Sequence, residues 1–253
     1  MENKLKQLTE KKQRLDKYKP FPPELVKNLE DWFKIELTYT SNAIEGNTLT
    51  RNETALVVEK GITVAGKSLT EHLEAINHAQ ALEFIKTLVK KKREELTARN
   101  ILDIHKIILA KIDDTNAGRY RTVSVRIAGS TVIMPNAMKI PDLMSEFVEW
   151  LRKPNTDHTI KISADAHYKL VSIHPFIDGN GRTARLLMNV LLMQKGYPPA
   201  LIRKEDRLKY INAIEQGQLG GSMQDYYTLI AKAVERSLNI YLKAVEPNDK
   251  NKV

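Results

Sequence analysis

Apolar residues recur at helical spacing along most of the chain and alternate at strand spacing only once. A charged helix with sparse apolar positions is predicted over 3–17, ended before "KPFPPE". A longer amphipathic helix follows at 23–45, where Leu25, Leu29, Trp32, Phe33, Ile35, Glu36 and Tyr39 fall near helical spacing. It runs into "TSNAIEGNTLT", where Gly46 and Asn47 are stop signals. Further helices are expected over 52–60, 68–91, 97–111, 141–153, 160–173, 182–195, 204–216 and 222–244. The period changes in "RTVSVRIAGSTVIMPN". There Val123, Val125 and Ile127 alternate up to a Gly129-Ser130 turn, and Val132 and Met134 continue beyond it, which predicts a β-hairpin over about 122–134. The expected fold class is all-α with that one hairpin.

Composition narrows the function classes. In a chain of 253 residues, 42% hydrophobic content supplies a sizeable core, and 11 Gly with 10 Pro argue against a loop-built or low-complexity chain. The net charge of +9 and pI near 9.5 raise an anionic partner. The lysines, however, crowd the ends ("KQLTEKKQRLDKYK", "DKNKV") and one helix end ("KTLVKKKREE"), with no nucleic-acid-binding motif beside them. The charge therefore reads as a solvated basic surface, and no nucleic acid is expected as partner. The lack of cysteine excludes disulfides, thiol catalysis and Cys-ligated zinc. No apolar run marks a signal peptide or reaches the 18 residues of a membrane span, so the expected location is cytoplasmic, with no membrane partner.

Two stretches offer a place for phosphate. "GITVAGKS" (61–68) fits the phosphate-loop pattern G-x-x-x-x-G-K-[ST]. A capping box of Ser68 with Glu71 supplies the helix that should follow it. The buried strand that should precede Gly61 is missing, because "NETALVVEKG" reads as a short helix stopped by glycine. Lys67 and Ser68 are then a turn and a helix cap.

The second stretch, "HPFIDGNGRTAR" (174–185), lies between two predicted helices. Glycines around Asn180 let successive backbone N–H groups point into one concavity at a helix N-terminus, an anion-binding nest. Arg182 and Arg185, three apart, share a helical face. Asp178 suits a hard cation such as Mg²⁺, and His174 supplies a base with an ordinary pKa near neutrality. These are the parts needed to hold a polyphosphate beside a proton acceptor. The other histidines, His72, His78, His105, His158 and His167, read as structural.

"HPFIDGNGRTAR" matches the motif H-P-F-x-[DE]-G-N-G-R-x-x-R of the Fic family at every defined position, and on it the chain is identified as a member. The resemblance runs from about residue 36 to 235, and "GYPPALIRKEDR" and "GKSLTEH" are similar to the animal endoplasmic-reticulum Fic enzymes. It implies a helical Fic fold whose members mostly transfer AMP from ATP to Ser, Thr or Tyr hydroxyls. It implies His174 as the base for the target hydroxyl and Asp178 as the holder of Mg²⁺. Gly179, Asn180 and Gly181 would cradle the phosphates, with Arg182 at the β-phosphate and Arg185 at the γ-phosphate. Tyr210 and Gln218 are candidates for adenine contact. The hairpin would be the family's flap, positioning a protein substrate through Val125, Ile127 and Val132 by strand addition.

"SNAIEG" matches the family's inhibitory motif [ST]-x-x-x-E-[GN], which implies that Glu45, framed by Ser41 and Gly46, pairs with Arg185 and occupies the arginine that should bind ATP. The expected organisation is an N-terminal helical region 1–95 carrying that motif, a Fic core 96–240 and a charged tail 241–253. The resemblance also implies a homodimer, and AMP removal as a reverse activity with Glu45 orienting a water. The alternatives are transfer of another phosphate group on the same fold and a non-catalytic toxin–antitoxin or DNA-binding regulator. Doc-like kinases depart from the later motif positions that Arg182 and Arg185 keep here. No winged-helix module is seen after the last predicted helix.

Overall fold

A computed structural model describes residues 1–246. Ten α-helices account for most of them: α1 (Glu2–Asp16), α2 (Pro23–Ile44), α3 (Arg51–Lys60), α4 (Leu69–Val89), α5 (Ala98–Leu109), α6 (Ile140–Arg152), α7 (Thr159–Ile173), α8 (Asn180–Gln194), α9 (Arg207–Gln218) and α10 (Gln224–Val245). Local chemistry sets several boundaries. Thr50, Ser68 and Thr97 each close a reciprocal capping box, with Glu53, Glu71 and Asn100 three residues on. α3 ends on Gly61 in the left-handed region, φ 64°, where glycine carries no Cβ penalty.

α8 is the axis of the molecule. From Leu186 to Leu192 its apolar side chains are all 3% exposed or less, the signature of a helix surrounded on every side. One side packs with α4, α5, α6 and α7 through Ile104, Ile108, Phe147, Leu170 and Phe176. The other side, through Met188 and Leu192, joins a second core with α1 and α10 that holds Leu8, Leu15, Tyr226, Ile230 and Leu238. Lys4 and Lys11 of α1 also reach Glu235 of α10 at 2.5 and 2.7 Å. Those pairs are partly exposed and add little beside the apolar burial. Among the described residues no helix is long and apolar enough to cross a membrane.

The structure corrects one expectation. No strand forms among the described residues, so the hairpin over 122–134 is absent as a ladder. Only its turn is present, closed by the Ser130 N–H donating to the Ile127 carbonyl at 3.1 Å. The strand-like alternation survives past the turn, with Val132 and Met134 buried and Ile133 exposed. The backbone groups that would form the ladder have other partners. Carbonyls of Val123 and Pro135 accept from Arg121, and the Thr131 N–H donates to Glu215. Of the expected tail 241–253, residues up to Val245 belong to α10, with Leu242 buried, and 247–253 lie outside the described residues.

The helix–turn–helix reading of "GITVAGKS" agrees with the structure. α3 occupies the place a phosphate loop needs for a strand, and Lys67 Nζ donates to the Thr48 carbonyl at 2.8 Å and Thr48 Oγ1 at 3.0 Å.

Candidate active site

The α7–α8 connection is a six-residue loop held open by its own backbone. α7 stops at His174, which adopts the left-handed conformation (φ 50°, ψ 59°), uncommon for a residue other than glycine. Such conformations persist where surrounding contacts over-determine them. Here the His174 N–H donates to the Leu170 carbonyl at 3.0 Å, and its own carbonyl accepts from Arg121 Nε at 2.8 Å. Asn180 closes the loop from inside, accepting from the Phe176 N–H at 3.0 Å and donating to the Phe176 carbonyl at 2.9 Å.

His105 of α5 supports the far side of this loop. Its ring stacks on Phe176, centroids 3.7 Å apart and nearly parallel. Nδ1 accepts from the Gly118 N–H at 3.0 Å, so Nε2 carries the proton and donates to the Asp178 carbonyl at 2.9 Å. Burial pushes this histidine down to about 4, which keeps the neutral tautomer that both bonds need. Gly179, φ 75°, must be glycine for two reasons: its backbone is left-handed, and a Cβ would press on the His105 ring at 3.2 Å. As N-cap of α8 it has no side chain to satisfy the first-turn amides, which leaves that helix end open to an anion.

A carboxylate already lies there. Arg185, 5% exposed, donates from Nη2 to Glu45 Oε1 at 2.6 Å and to the Ser41 carbonyl at 3.0 Å, and from Nε to Ser41 Oγ at 3.0 Å. Glu45 is the C-cap of α2, followed by Gly46 at φ 105°. Its Oε1 sits so close over Gly181 that a Cβ there would collide with it. Burial works against the Arg185 charge, yet the Glu45 carboxylate outweighs it and raises the guanidinium above its ordinary pKa.

Arg182, 2% exposed, bridges two more carboxylates: Glu74 of α4 at 2.8 Å and Asp178 at 2.9 Å. Glu74 also accepts from Asn47 Nδ2 at 2.8 Å. His174 is half-buried, with Nδ1 buried and unpaired. Burial first, and the Arg121 charge after it, push His174 below its ordinary pKa against the pull of Glu45 and Asp178. The imidazole is therefore neutral at pH 7 and able to accept a proton.

The structure thus brings Ser41, Glu45, His174, Asp178, Gly179, Asn180, Gly181, Arg182 and Arg185 to one place. Tyr210 is buried at 2%, and its hydroxyl meets His167 Nε2 at 2.5 Å, so it stands in the core beneath the site rather than on an open face. Gln218 is half-buried and donates to Ser172 Oγ at 3.1 Å. Val125 and Ile127 are half-buried and Val132 buried in the ladderless segment. Sequence reasoning missed Glu74, Arg121 and Glu215. The partner of each lies far along the chain or is a backbone carbonyl, and neither leaves a local pattern.

These features define an all-helical protein whose central helix pair carries an anion-accepting loop with a neutral histidine at its edge. The Fic/DOC family profile matches residues 95–192. The protein adenylyltransferase Fic of Nematostella vectensis is 40% identical over 206 residues, 81% of this chain and 48% of that protein. The protein adenylyltransferase fic-1 of Caenorhabditis elegans is 37% identical over 84% of this chain and 42% of its own length. The chain spans about half the length of these curated relatives. Among solved structures, Fic-1 (residues 134–508) of C. elegans superposes with a TM-score of 0.88 at 31% identity, covering 96% of this chain and 72% of that one. A Fic domain containing signaling protein from Bacteroides thetaiotaomicron gives 0.83 at 31% identity, over 97% and 99%. The chain belongs to the Fic/DOC family.

Proposed function

We propose that this chain is a protein adenylyltransferase that moves AMP from ATP to a Ser, Thr or Tyr hydroxyl of a protein target and holds itself inactive through Glu45. The observation that carries the reading is the Glu45 carboxylate seated on Gly181 and Arg185, an anion in the position a polyphosphate needs. The names of the relatives support the activity. His174 takes the proton of the target hydroxyl as its oxygen attacks the α-phosphorus. The bond from that phosphorus to the bridging oxygen breaks, and pyrophosphate leaves. Amides at the start of α8, with Gly179, Asn180 and Gly181, hold the phosphates, while Arg182 and Arg185 reach the β- and γ-phosphates. Catalysis is then mainly positioning and charge stabilisation. Gln218 remains the candidate for adenine contact.

The donor set fits Mg²⁺. Asp178 has a side chain 66% exposed, and only its Oδ2 is engaged, by Arg182. Mg²⁺ is usually held by one or two carboxylates together with substrate phosphates and water. The described residues accordingly hold no cluster of three or more His, Asp or Glu suited to a metal. When bound, Mg²⁺ would neutralise charge on the α- and β-phosphates, and Asp178 would hold it.

In the reverse direction Glu45 would orient a water onto the phosphodiester and remove AMP. The N-terminal region 1–95 then acts as regulator of the 96–240 core. A homodimer, which the family resemblance implies, is the proposed assembled form. The test is incubation of the protein and of Glu45→Gly with α-labelled ATP and cell lysate. Labelled proteins in the Glu45→Gly sample alone are the expected result. Equal labelling by the two proteins would remove self-inhibition, and no labelling by either would remove the transfer reading.

A further inference from the structure

The segment between α5 and α6 carries no ladder, yet it is fastened at both ends. At its root stands Arg121, 3% exposed, which pairs with no carboxylate among the described residues. Nε donates to the His174 carbonyl at 2.8 Å, Nη1 to the Val123 carbonyl at 2.8 Å and Nη2 to the Pro135 carbonyl at 2.5 Å. Its backbone N–H donates to the Pro175 carbonyl at 2.9 Å. A buried cation is costly unless several dipoles share its charge, and a planar guanidinium reaches three separated acceptors from three nitrogens in a fixed fork, where an ammonium has one nitrogen. One side chain therefore ties the first and last residues of the segment to each other and to the backbone of His174.

The tip is held from α9. Glu215 accepts from Ser130 Oγ at 2.8 Å, the Thr131 N–H at 3.0 Å and Thr131 Oγ1 at 3.4 Å. Between the two fastenings, Ser124, Val125 and Arg126 form no backbone hydrogen bond within the described residues. Their free N–H and C=O groups are what an added strand requires.

We propose that Arg121 and Glu215 are positioning residues that clamp this flap at root and tip, and that Arg121 fixes the register between the target-docking segment and His174. The inference deepens the proposed AMP transfer and rests on it for its kinetic arm, whereas its structural arm does not. A target strand paired with 124–126 is placed relative to the His174 imidazole through a single guanidinium. The tip clamp keeps that edge extended before a target arrives.

The experiment uses the full chain carrying Glu45→Gly as parent, with Arg121→Lys, Glu215→Ala and Glu215→Gln added singly. Backbone amide exchange over 122–135 is read without ligand, and self-modification with α-labelled ATP gives a rate and a KM for ATP. Arg121→Lys and Glu215→Ala should both speed exchange in 122–135. Arg121→Lys should lower the maximal rate about 10²-fold, the cost of misplacing a reacting group by about an ångström, with the ATP KM within about threefold of parent. Glu215→Ala, which removes the acceptor of all three tip bonds, should lower it at least about five- to tenfold, and Glu215→Gln, which keeps an acceptor, should restore most of it. Unchanged exchange in both Arg121→Lys and Glu215→Ala overturns the clamps, as does an ATP KM that rises in step with the rate loss. Should Arg121→Lys fail to fold, the two variants at the half-buried Glu215 decide by the same two readouts. A parent that carries no label refutes AMP transfer instead, and amide exchange then still decides the clamps.

Discussion

Arg182 holds two carboxylates at nearly equal distance, and the structure predicts that they are far from equal in worth. Glu74 lies 2.8 Å from Nη1 with its side chain 16% exposed, and Asp178 lies 2.9 Å from Nη2 with its side chain 66% exposed. The guanidinium is 2% exposed, and its Nε is buried without a partner. Removing one member of a buried pair costs about 3–5 kcal/mol, because it strands the other charge away from water. Glu74→Gln keeps an acceptor for Arg182 or Asn47 and removes only the charge, so about 2 kcal/mol is expected here. An exposed pair is worth about 0–1 kcal/mol, which sets the cost of Asp178→Asn at about 0.5 kcal/mol. In a protein of this size about 1 kcal/mol moves Tm by about 2–4 °C, so Glu74→Gln should lower Tm by about 4–8 °C and Asp178→Asn by about 1–2 °C. Equilibrium urea unfolding at pH 7 without nucleotide measures both free-energy losses and thermal melts the Tm shifts, and the double variant should lose more than the sum, since Arg182 is then left with no carboxylate. Equal losses from the two single variants, or a larger loss from Asp178→Asn, would refute the argument that burial sets the strength of each pair.

Two further outcomes are expected. Lys67→Ala should leave nucleotide affinity and turnover within about twofold by calorimetry and rate assay, because Lys67 caps the Thr48 carbonyl and no strand precedes Gly61. A large loss of ATP binding in the folded variant would return the phosphate site to residues 61–68. Stability should fall as pH drops below about 6.5. Burial pushes His78 and His167 down to about 3 and His105 to about 4, so the unfolded chain binds more protons than the folded one between about pH 6.5 and 4. Their stabilisation is complete above the unfolded pKa and is lost by up to about 4 kcal/mol per pH unit on acidification. Urea midpoints at pH 7, 5.5 and 4.5 check this, and a flat profile from 7 to 5 would contradict it.

The helices were legible because their causes are local. Ser68 and Glu71 announce the start of α4 three residues apart, Gly61 ends α3, and α2 buries Leu29, Phe33, Ile35 and Glu36 of its expected face while Trp32 faces outward. The loop from His174 to Arg185 was legible because its chemistry is contiguous in sequence. The strand period of 122–134 was misleading, since alternation records which side chains face inward and not whether a second strand lies within reach. There a guanidinium and a carboxylate replace the ladder. Glu74 was invisible for a different reason. It lies 108 residues from Arg182, in a helix whose own spacing explains a glutamate as surface. From its sequence neighbours His105 is a structural histidine, and its role in holding the Asp178 carbonyl depends on a tautomer that only the partners of its ring reveal.

The central claim is that His174 is the base of an AMP transfer which Glu45 restrains. The most direct measurement is the rate of label appearing on protein from α-labelled ATP with Mg²⁺, compared between Glu45→Gly and Glu45→Gly/His174→Ala. ADP affinity of both is measured alongside, since the phosphate-holding groups lie elsewhere in the loop. Glu45→Gly should incorporate label, and adding His174→Ala should reduce the rate by about 10²–10⁴-fold, the worth of a positioned general base, with ADP affinity within about threefold. Equal labelling by the two proteins, or label in neither while both still bind nucleotide, would contradict the account.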